Sequence, residues 1–331
     1  GNAVWNELLG KIQVEGGTET QKNLFYTTLY RSMLWPALRS DVDGTFKDPK
    51  GEVRNEGFHY YTEPSFWDDY RNKLVLLGML SPKVANDVIS SCLVMGEANH
   101  GFMPTFFHGD HASVFVTGSY LRGLRDYDVQ KAYAMMLKNA TVEGPSRPYL
   151  QEYIDKGYIS EVELKGFIEI HADAKASVTK TQEYSYDDYA VALLARELGD
   201  MESHDMLMKR VHNYKNVFDK SVLLARGKLA DGRWVENFDP CFPYYQYLYR
   251  EATGWMSSFF APHDTEGLIE LFGGPEIFER QLDEFYTLPW KGYEAHNLSG
   301  FVGQYCHGNQ PDHTPPPLLR SPVFLFFSRR R

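Results

Sequence analysis

Thr181-Gln-Glu-Tyr-Ser-Tyr-Asp-Asp-Tyr189, continued by Ala190-Val-Ala-Leu-Leu-Ala-Arg-Glu-Leu198, predicts a helix from Thr181 to Leu198. Glu183 and Asp187 are four residues apart, so two carboxylates share one face of an otherwise apolar helix. Like charges at that spacing destabilise a helix unless something uses them. Capping by Thr181 or Gln182 explains where the helix starts, but not the Glu183/Asp187 pair.

Further helical stretches lie on both sides of this one. The first runs from Thr20 to Trp35, with Phe25, Leu29, Met33 and Leu34 at helical spacing before Pro36. Others run from Pro64 to Leu80, from Ser81-Pro82 to Glu97, from Ala112 to Leu124, from Asp128 to Asn139 and from Glu202 to Phe218. Glu251-Ala-Thr-Gly-Trp-Met256 opens another that ends near Pro262-His-Asp264, and Thr265–Phe272 and Pro275–Phe285 follow. Residues 141–180 read as a long loop, and in a compact domain a loop of that length is usually functional. Residues 220–250 read as extended and turn-rich. With about ten helices and almost no alternating strand pattern, the chain reads as all-α, its helical hairpins pointing to an α/α barrel.

The 331 residues can bury a sizeable core. Aromatic residues make up 15%, a load that suits a ring-stacking pocket but is mostly explained by packing between helices. A net charge of -10 argues against nucleic acid and against an anionic membrane surface. Cys92, Cys241 and Cys306 are widely spaced and odd in number, so they form no disulfide framework and no Cys-x-x-Cys pair. No apolar run is long enough to span a membrane. The first residues, Gly1-Asn-Ala-Val-Trp5, lack the basic and apolar regions of a signal peptide, and their missing Met is compatible with an export signal upstream.

The densest polar segment is Gln304-Tyr-Cys-His-Gly-Asn-Gln-Pro-Asp-His313, where side chains and backbone can converge on a ligand at a Gly-Asn turn. Asp41 and Asp43 resemble the start of a calcium loop, but no glutamate follows at the required offset, and an Asx-type turn is the simpler reading. Trp67 with Asp68 and Arg71 could bind a sugar, ring on indole and hydroxyls on carboxylate; Asp68 could equally serve the helix dipole. His108, Asp110 and His111 share a loop rather than a helix face, a poor arrangement for zinc.

Phe25-Tyr-Thr-Thr-Leu-Tyr-Arg31, Ser40-Asp-Val-Asp-Gly44, Phe66-Trp-Asp-Asp-Tyr-Arg71, Glu183-Tyr-Ser-Tyr-Asp-Asp-Tyr189, Asn213-Tyr-Lys-Asn216, Pro262-His-Asp264 and His307-Gly-Asn-Gln-Pro311 occur in one order. Together they resemble the catalytic domain of glycoside hydrolase family 92. The resemblance implies a calcium-dependent exo-α-mannosidase that inverts at the anomeric carbon, built as an N-terminal β-sandwich followed by an (α/α)6 barrel. It also implies mannose-containing oligosaccharides or glycoproteins as partners and a periplasmic, secreted or cell-surface location. Inversion needs an acid and a base carboxylate roughly 6.5 to 9.5 Å apart. By resemblance Glu251 is the general acid and Glu183 the runner-up, although Ala252 and Thr253 replace the family's Gly-Asn. Trp67 and Asp68 hold the terminal mannose; His307, Asn309 and Gln310 lie beside the leaving-group sugar, and Asn309 and Gln310 beside the calcium.

The family's segment with the base aspartates has no counterpart here, so no base residue is expected in this chain, a loss that commonly costs about 10² to 10⁴ in rate. The expected division is residues 1–18 as a linker from an absent β-sandwich, 19–314 as a barrel incomplete at its C-terminal end, and 315–331 as an aberrant tail from a frame shift or truncation. Two other readings fit the same residues: a non-catalytic or inactive mannose-binding remnant, and an inverting α/α-barrel glucosidase.

Overall fold

The structure is a computed structural model, and it describes residues 1–165, 173–295 and 298–313. The tail 315–331 therefore lies outside the described residues. Two compact units divide at Asn139/Ala140. Among the described residues helices dominate, and the strands form only two-stranded antiparallel pairs.

In the first unit, α1 (Asn2–Leu9) occupies the stretch expected to be a linker, with Trp5 edge-on to Tyr30 of α2 (Glu19–Ser32) at 4.6 Å. Thr18 and Gln21 open α2 with a reciprocal capping box, a device that satisfies two otherwise orphaned N–H groups. The Asp41–Gly44 loop is an Asx turn: the Asp43 carboxylate accepts from the Thr45 N–H at 2.9 Å and its hydroxyl at 2.7 Å. The short pair β1 (Phe46–Lys47) and β2 (Val53–Arg54) follows, and Phe46 stacks on Tyr60 at 4.4 Å in a small core with Val94. The expected helix from Pro64 to Leu80 is two helices, α3 (Phe66–Asp69) and α4 (Lys73–Leu80), because Asn72 caps α4 through the Lys73 N–H. Ser81 closes α4, and Pro82, whose missing N–H costs nothing in a first turn, opens α5 (Pro82–Ala98). The helices α6 (Ala112–Leu121) and α7 (Val129–Thr141) complete this part.

The second unit differs more from the sequence reading. The expected loop 141–180 holds α8 (Leu150–Lys156), closed by Gly157 at φ 75°. Asn216 explains that glycine: its Nδ2 donates to the Gly157 carbonyl at 2.9 Å and would lie 2.7 Å from a Cβ there. Helix α9 (Ser177–Leu198) starts four residues before Thr181. Thr181 is thus internal rather than a cap; its hydroxyl donates to the Ser177 carbonyl at 2.7 Å and accepts the Ile159 N–H at 3.0 Å. The expected Glu202–Phe218 helix breaks into α10 (Met201–Met208) and a 3-10 turn, Asn213–Val217.

Residues 220–250 are mostly turns around the pair β3 (Phe218–Asp219) and β4 (Leu224–Ala225). Three tyrosines of that segment are buried, and each hydroxyl finds a backbone partner, as burial requires. Tyr247 donates to the Val162 carbonyl at 3.0 Å, Tyr249 to the Ala225 carbonyl at 2.5 Å, and Tyr244 accepts the Asp239 N–H at 3.2 Å. Helix α11 (Gly254–Ser257) is capped by Thr253, and α12 (Thr265–Phe272) by Asp264. With α13 (Pro275–Thr287) they bring Phe259, Phe272, Phe278 and Phe285 into one core. The pair β5 (Phe301–Val302) and β6 (Tyr305–Cys306) then leads to the last described turn, Gln310–His313.

A buried ion cluster anchors α9. The Asp188 carboxylate receives Arg147 at 2.6 Å and Arg210 at 2.9 Å, and the Tyr153 hydroxyl donates to it at 3.1 Å. Asp188 and Arg147 are wholly buried. Removing one partner of such a pair leaves uncompensated buried charge, at about 3 to 5 kcal/mol. Asp188→Ala should therefore lower the unfolding free energy in urea by at least about 3 kcal/mol; a change under about 1 kcal/mol would show that the cluster is not stabilising.

Candidate active site

The polar face predicted for α9 is real but wider than the sequence suggested: Lys180, Glu183, Asp187 and Asp188 are all buried. The first turn of α9 is stitched to the loop that carries Glu251. The Ala176 N–H donates to the Gln246 carbonyl at 2.9 Å, the Val178 N–H to the Leu248 carbonyl at 3.0 Å, and the Arg250 N–H to the Thr179 hydroxyl at 2.9 Å. This loop is strained, since Leu248 and Glu251 have φ 61° and 48°. For a residue with a Cβ that region costs about 1–2 kcal/mol.

Glu251 is consequently not the first residue of a helix. It precedes α11 in left-handed backbone, buried to 7% exposure. Its N–H donates to the Tyr245 carbonyl at 3.3 Å, and the antiparallel bridge between Tyr244 and Ala252 brackets it. The Asn309 side-chain amide donates to the Glu251 carbonyl at 3.1 Å and approaches its carboxylate at 3.5 Å. The loop expected beside the leaving group is thus in contact with the expected acid. Sequence spacing could not show this, because 58 residues separate the two.

Arg250 was missed by the sequence reading, although it directly precedes Glu251. Burial lowers its pKa, while Tyr245 and the carboxylates of Glu251 and Glu183 act in the opposite direction. Both candidates for the acid therefore act on one guanidinium. Lys180 was also missed. Burial pushes its pKa down to about 8 against the pull of Glu183 and Glu161, with Arg250 adding to the lowering. Glu161 is a third omission, a carboxylate whose pKa is raised by burial while it accepts N–H groups from Val162, Lys175, Ser177 and Leu248. A lone acid beside a long loop gives no such signal in sequence.

His307 is exposed, and its Nδ1 pairs with the Tyr305 hydroxyl at 2.9 Å. The loop around it requires two glycines. A Cβ on Gly303 would fall 2.4 Å from the Tyr286 backbone, and one on Gly308 2.7 Å from the Ser299 carbonyl. Asn309 Oδ1 accepts the Gln310 N–H at 3.1 Å and keeps a second lone pair. Calcium takes six to eight hard oxygen donors, and the amide oxygens of Asn309 and Gln310 suit that preference. They would be two neutral members of such a shell. Among the described residues no group of three or more His, Cys, Asp or Glu is arranged to hold a metal, and His108, Asp110 and His111 form none.

In the first unit Trp67 is 1% exposed, edge-on to Phe107 at 5.3 Å, whereas Asp68 is half-buried. The indole offers almost no open face to a sugar.

The sequence matches the glycosyl hydrolase family 92 catalytic domain over residues 1–319. The chain belongs to glycosyl hydrolase family 92. A family GH92 alpha-mannosidase from Bacteroides thetaiotaomicron, solved in complex with mannoimidazole, aligns with TM-score 0.86 and 27% identity over 96% of this chain and 42% of that one. The GH92 inverting mannosidase of Bacteroides thetaiotaomicron VPI-5482 gives 0.79 and 27% over 94% and 44%. An uncharacterized secreted glycosidase of Arthroderma benhamiae is 25% identical over 345 residues, 92% of this chain and 40% of that protein. The family 92 chain described here thus spans about two-fifths of the length of these relatives. None of its described helices is long and apolar enough to cross a membrane.

The buried lysine gives this family 92 site a pH signature. Its folded pKa lies below the ordinary lysine value, so the protonated form is disfavoured in the fold and the penalty is complete below about pH 8. As pH rises from about 8 toward 10.5 the folded state releases the proton first, and stability increases by up to about 3 kcal/mol. Urea titrations of wild type and Lys180→Met between pH 7.5 and about 9.5 should show their difference moving in favour of wild type as pH rises. A pH-independent difference would contradict a buried, titrating Lys180.

Proposed function

We propose that the chain is catalytic-domain sequence of an inverting exo-α-mannosidase that releases terminal mannose from mannose-containing oligosaccharides or glycoproteins, N-glycans among them, with calcium assisting. The observation that carries the reading is the likeness, over 96% of the chain, to an α-mannosidase solved with mannoimidazole. The hypothesised framework is an (α/α)6 barrel, in keeping with the helix-rich fold.

In this reading Glu251 delivers its proton to the leaving oxygen, and Glu183 is the second candidate for that step. Asn309 fixes where the Glu251 carboxyl points, by donating to both its carbonyl and its carboxylate. Orientation of this kind is a large part of what a general acid needs, since proton transfer requires hydrogen-bond reach. Asp68 accepts hydroxyls of the terminal mannose, and the exposed His307 is placed to meet the sugar that departs. Calcium, held by the oxygens of Asn309 and Gln310, would supply charge stabilisation and hydroxyl positioning. The carboxylate that activates water is assigned to no residue of this chain. A secreted setting is in keeping with the description of the Arthroderma relative.

Incubation of the purified chain with matched α-mannosides and α-glucosides, in calcium and in excess chelator, tests the reading. Mannose should be released in calcium, β-mannose should be the first anomer seen by proton NMR, and chelator should stop the reaction. Release of glucose instead, an α-anomer as first product, or no release would each overturn it.

A further inference from the structure

Helix α2 carries Phe25 and Leu29 one turn apart, and α4 carries Val75, Leu76 and Met79. With Ile12 these side chains line a cavity of about 660 Å³, within the roughly 300–1,000 Å³ of small-ligand pockets. Its third wall is tied to both helices. The Tyr26 hydroxyl of α2 donates to the Ile12 carbonyl at 3.0 Å and accepts the Val14 N–H at 3.3 Å. Lys11 Nζ donates to the carbonyl of Leu80, the last residue of α4, at 2.5 Å. Residues 11–14 therefore bridge α2 and α4 and keep the apolar walls apart. Such walls gain by leaving water, and Met79 is still 70% exposed.

One charge in this lining has no counter-charge. Lys73 donates to the Asp69 carboxylate at 3.1 Å, but Arg71 has no carboxylate partner among the described residues. Its Nη1 donates to the Trp67 carbonyl at 2.6 Å, and its Nε is buried without an acceptor. The guanidinium lies 4.5 Å from the centre of the Tyr70 ring, a contact that offsets only part of what a cation loses on leaving water. An anion there would supply the rest.

We propose that this cavity binds a single-chain amphiphile with an anionic head, an alkyl carboxylate, with its chain against Phe25, Leu29, Val75 and Leu76 and its carboxylate on Arg71. Hydrogen bonds between guanidinium and carboxylate are charge-assisted and among the stronger ones available. A wholly apolar ligand would leave the guanidinium without an acceptor, and a free sugar would leave the apolar walls unsatisfied. The inference does not depend on the mannosidase reading.

Calorimetric titration of the full chain with octanoate, decanoate, decanol and decyltrimethylammonium, each below its micellar concentration, tests the proposal. Decanoate should bind about 15-fold more tightly than octanoate, the effect of two further buried CH₂ groups. It should bind at least about 10-fold more tightly than decyltrimethylammonium. Arg71→Met should weaken decanoate about 10-fold and leave decanol unchanged. Thr28→Trp, at the exposed rim, should fill the cavity and stop the binding of both at an unchanged unfolding midpoint. No binding of decanoate by wild type, equal affinity for decyltrimethylammonium, or decanoate binding that survives Thr28→Trp would overturn the proposal. So would a dimer, seen by light scattering, that Thr28→Trp dissociates and decanoate does not, since a second copy would then be the occupant.

Discussion

The second unit depends on one buried carboxylate. Asp188 lies between Arg147 and Arg210, and Tyr153 donates to the same group, so a single side chain of α9 joins the segment before α8 and the turn after α10. An unpartnered aspartate at that depth would be untenable, and so would either arginine. The cluster therefore acts as a registry pin. Once α9 is fixed, its first turn presents N–H and hydroxyl groups to the 246–250 loop, and that loop puts Glu251 where Asn309 reaches it.

Strain follows the same path. Leu248 and Glu251 carry left-handed backbone next to a helix held by ions, and in the first unit Phe106 and Phe107 do so, with Phe107 against Trp67. Backbone of this kind lowers stability and is retained where a side chain must point in a direction that relaxed geometry does not allow. At Glu251 the direction is set by Asn309. At Phe107 it leaves a ring half in solvent.

Much of this was legible in the residues. Periodicity found most helices, and the Glu183/Asp187 pair lies, as expected, within helix α9, where both side chains are buried. Long-range pairing is what it could not show. The start of α9 at Ser177 is set by contacts with residues 246–248, and the Asn213–Val217 turn and Gly157 are shaped by each other. Glu251 looked like a helix start because Thr253 and Met256 form a real cap two residues later. Lys180, Glu161 and Arg250 carry no local signature, since burial and not composition makes them unusual. Trp67 was legible as a motif but not as a buried side chain.

The central claim is that Glu251, oriented by Asn309, protonates the departing oxygen. Leaving-group dependence tests it most directly: the rate of Glu251→Gln on an α-mannobiose is compared with its rate on a dinitrophenyl α-mannoside, whose leaving group needs no proton. The account predicts a loss of about 10² to 10⁴ on the disaccharide and little loss on the activated aryl glycoside. Equal losses on both substrates would contradict it and move the acid role to Glu183.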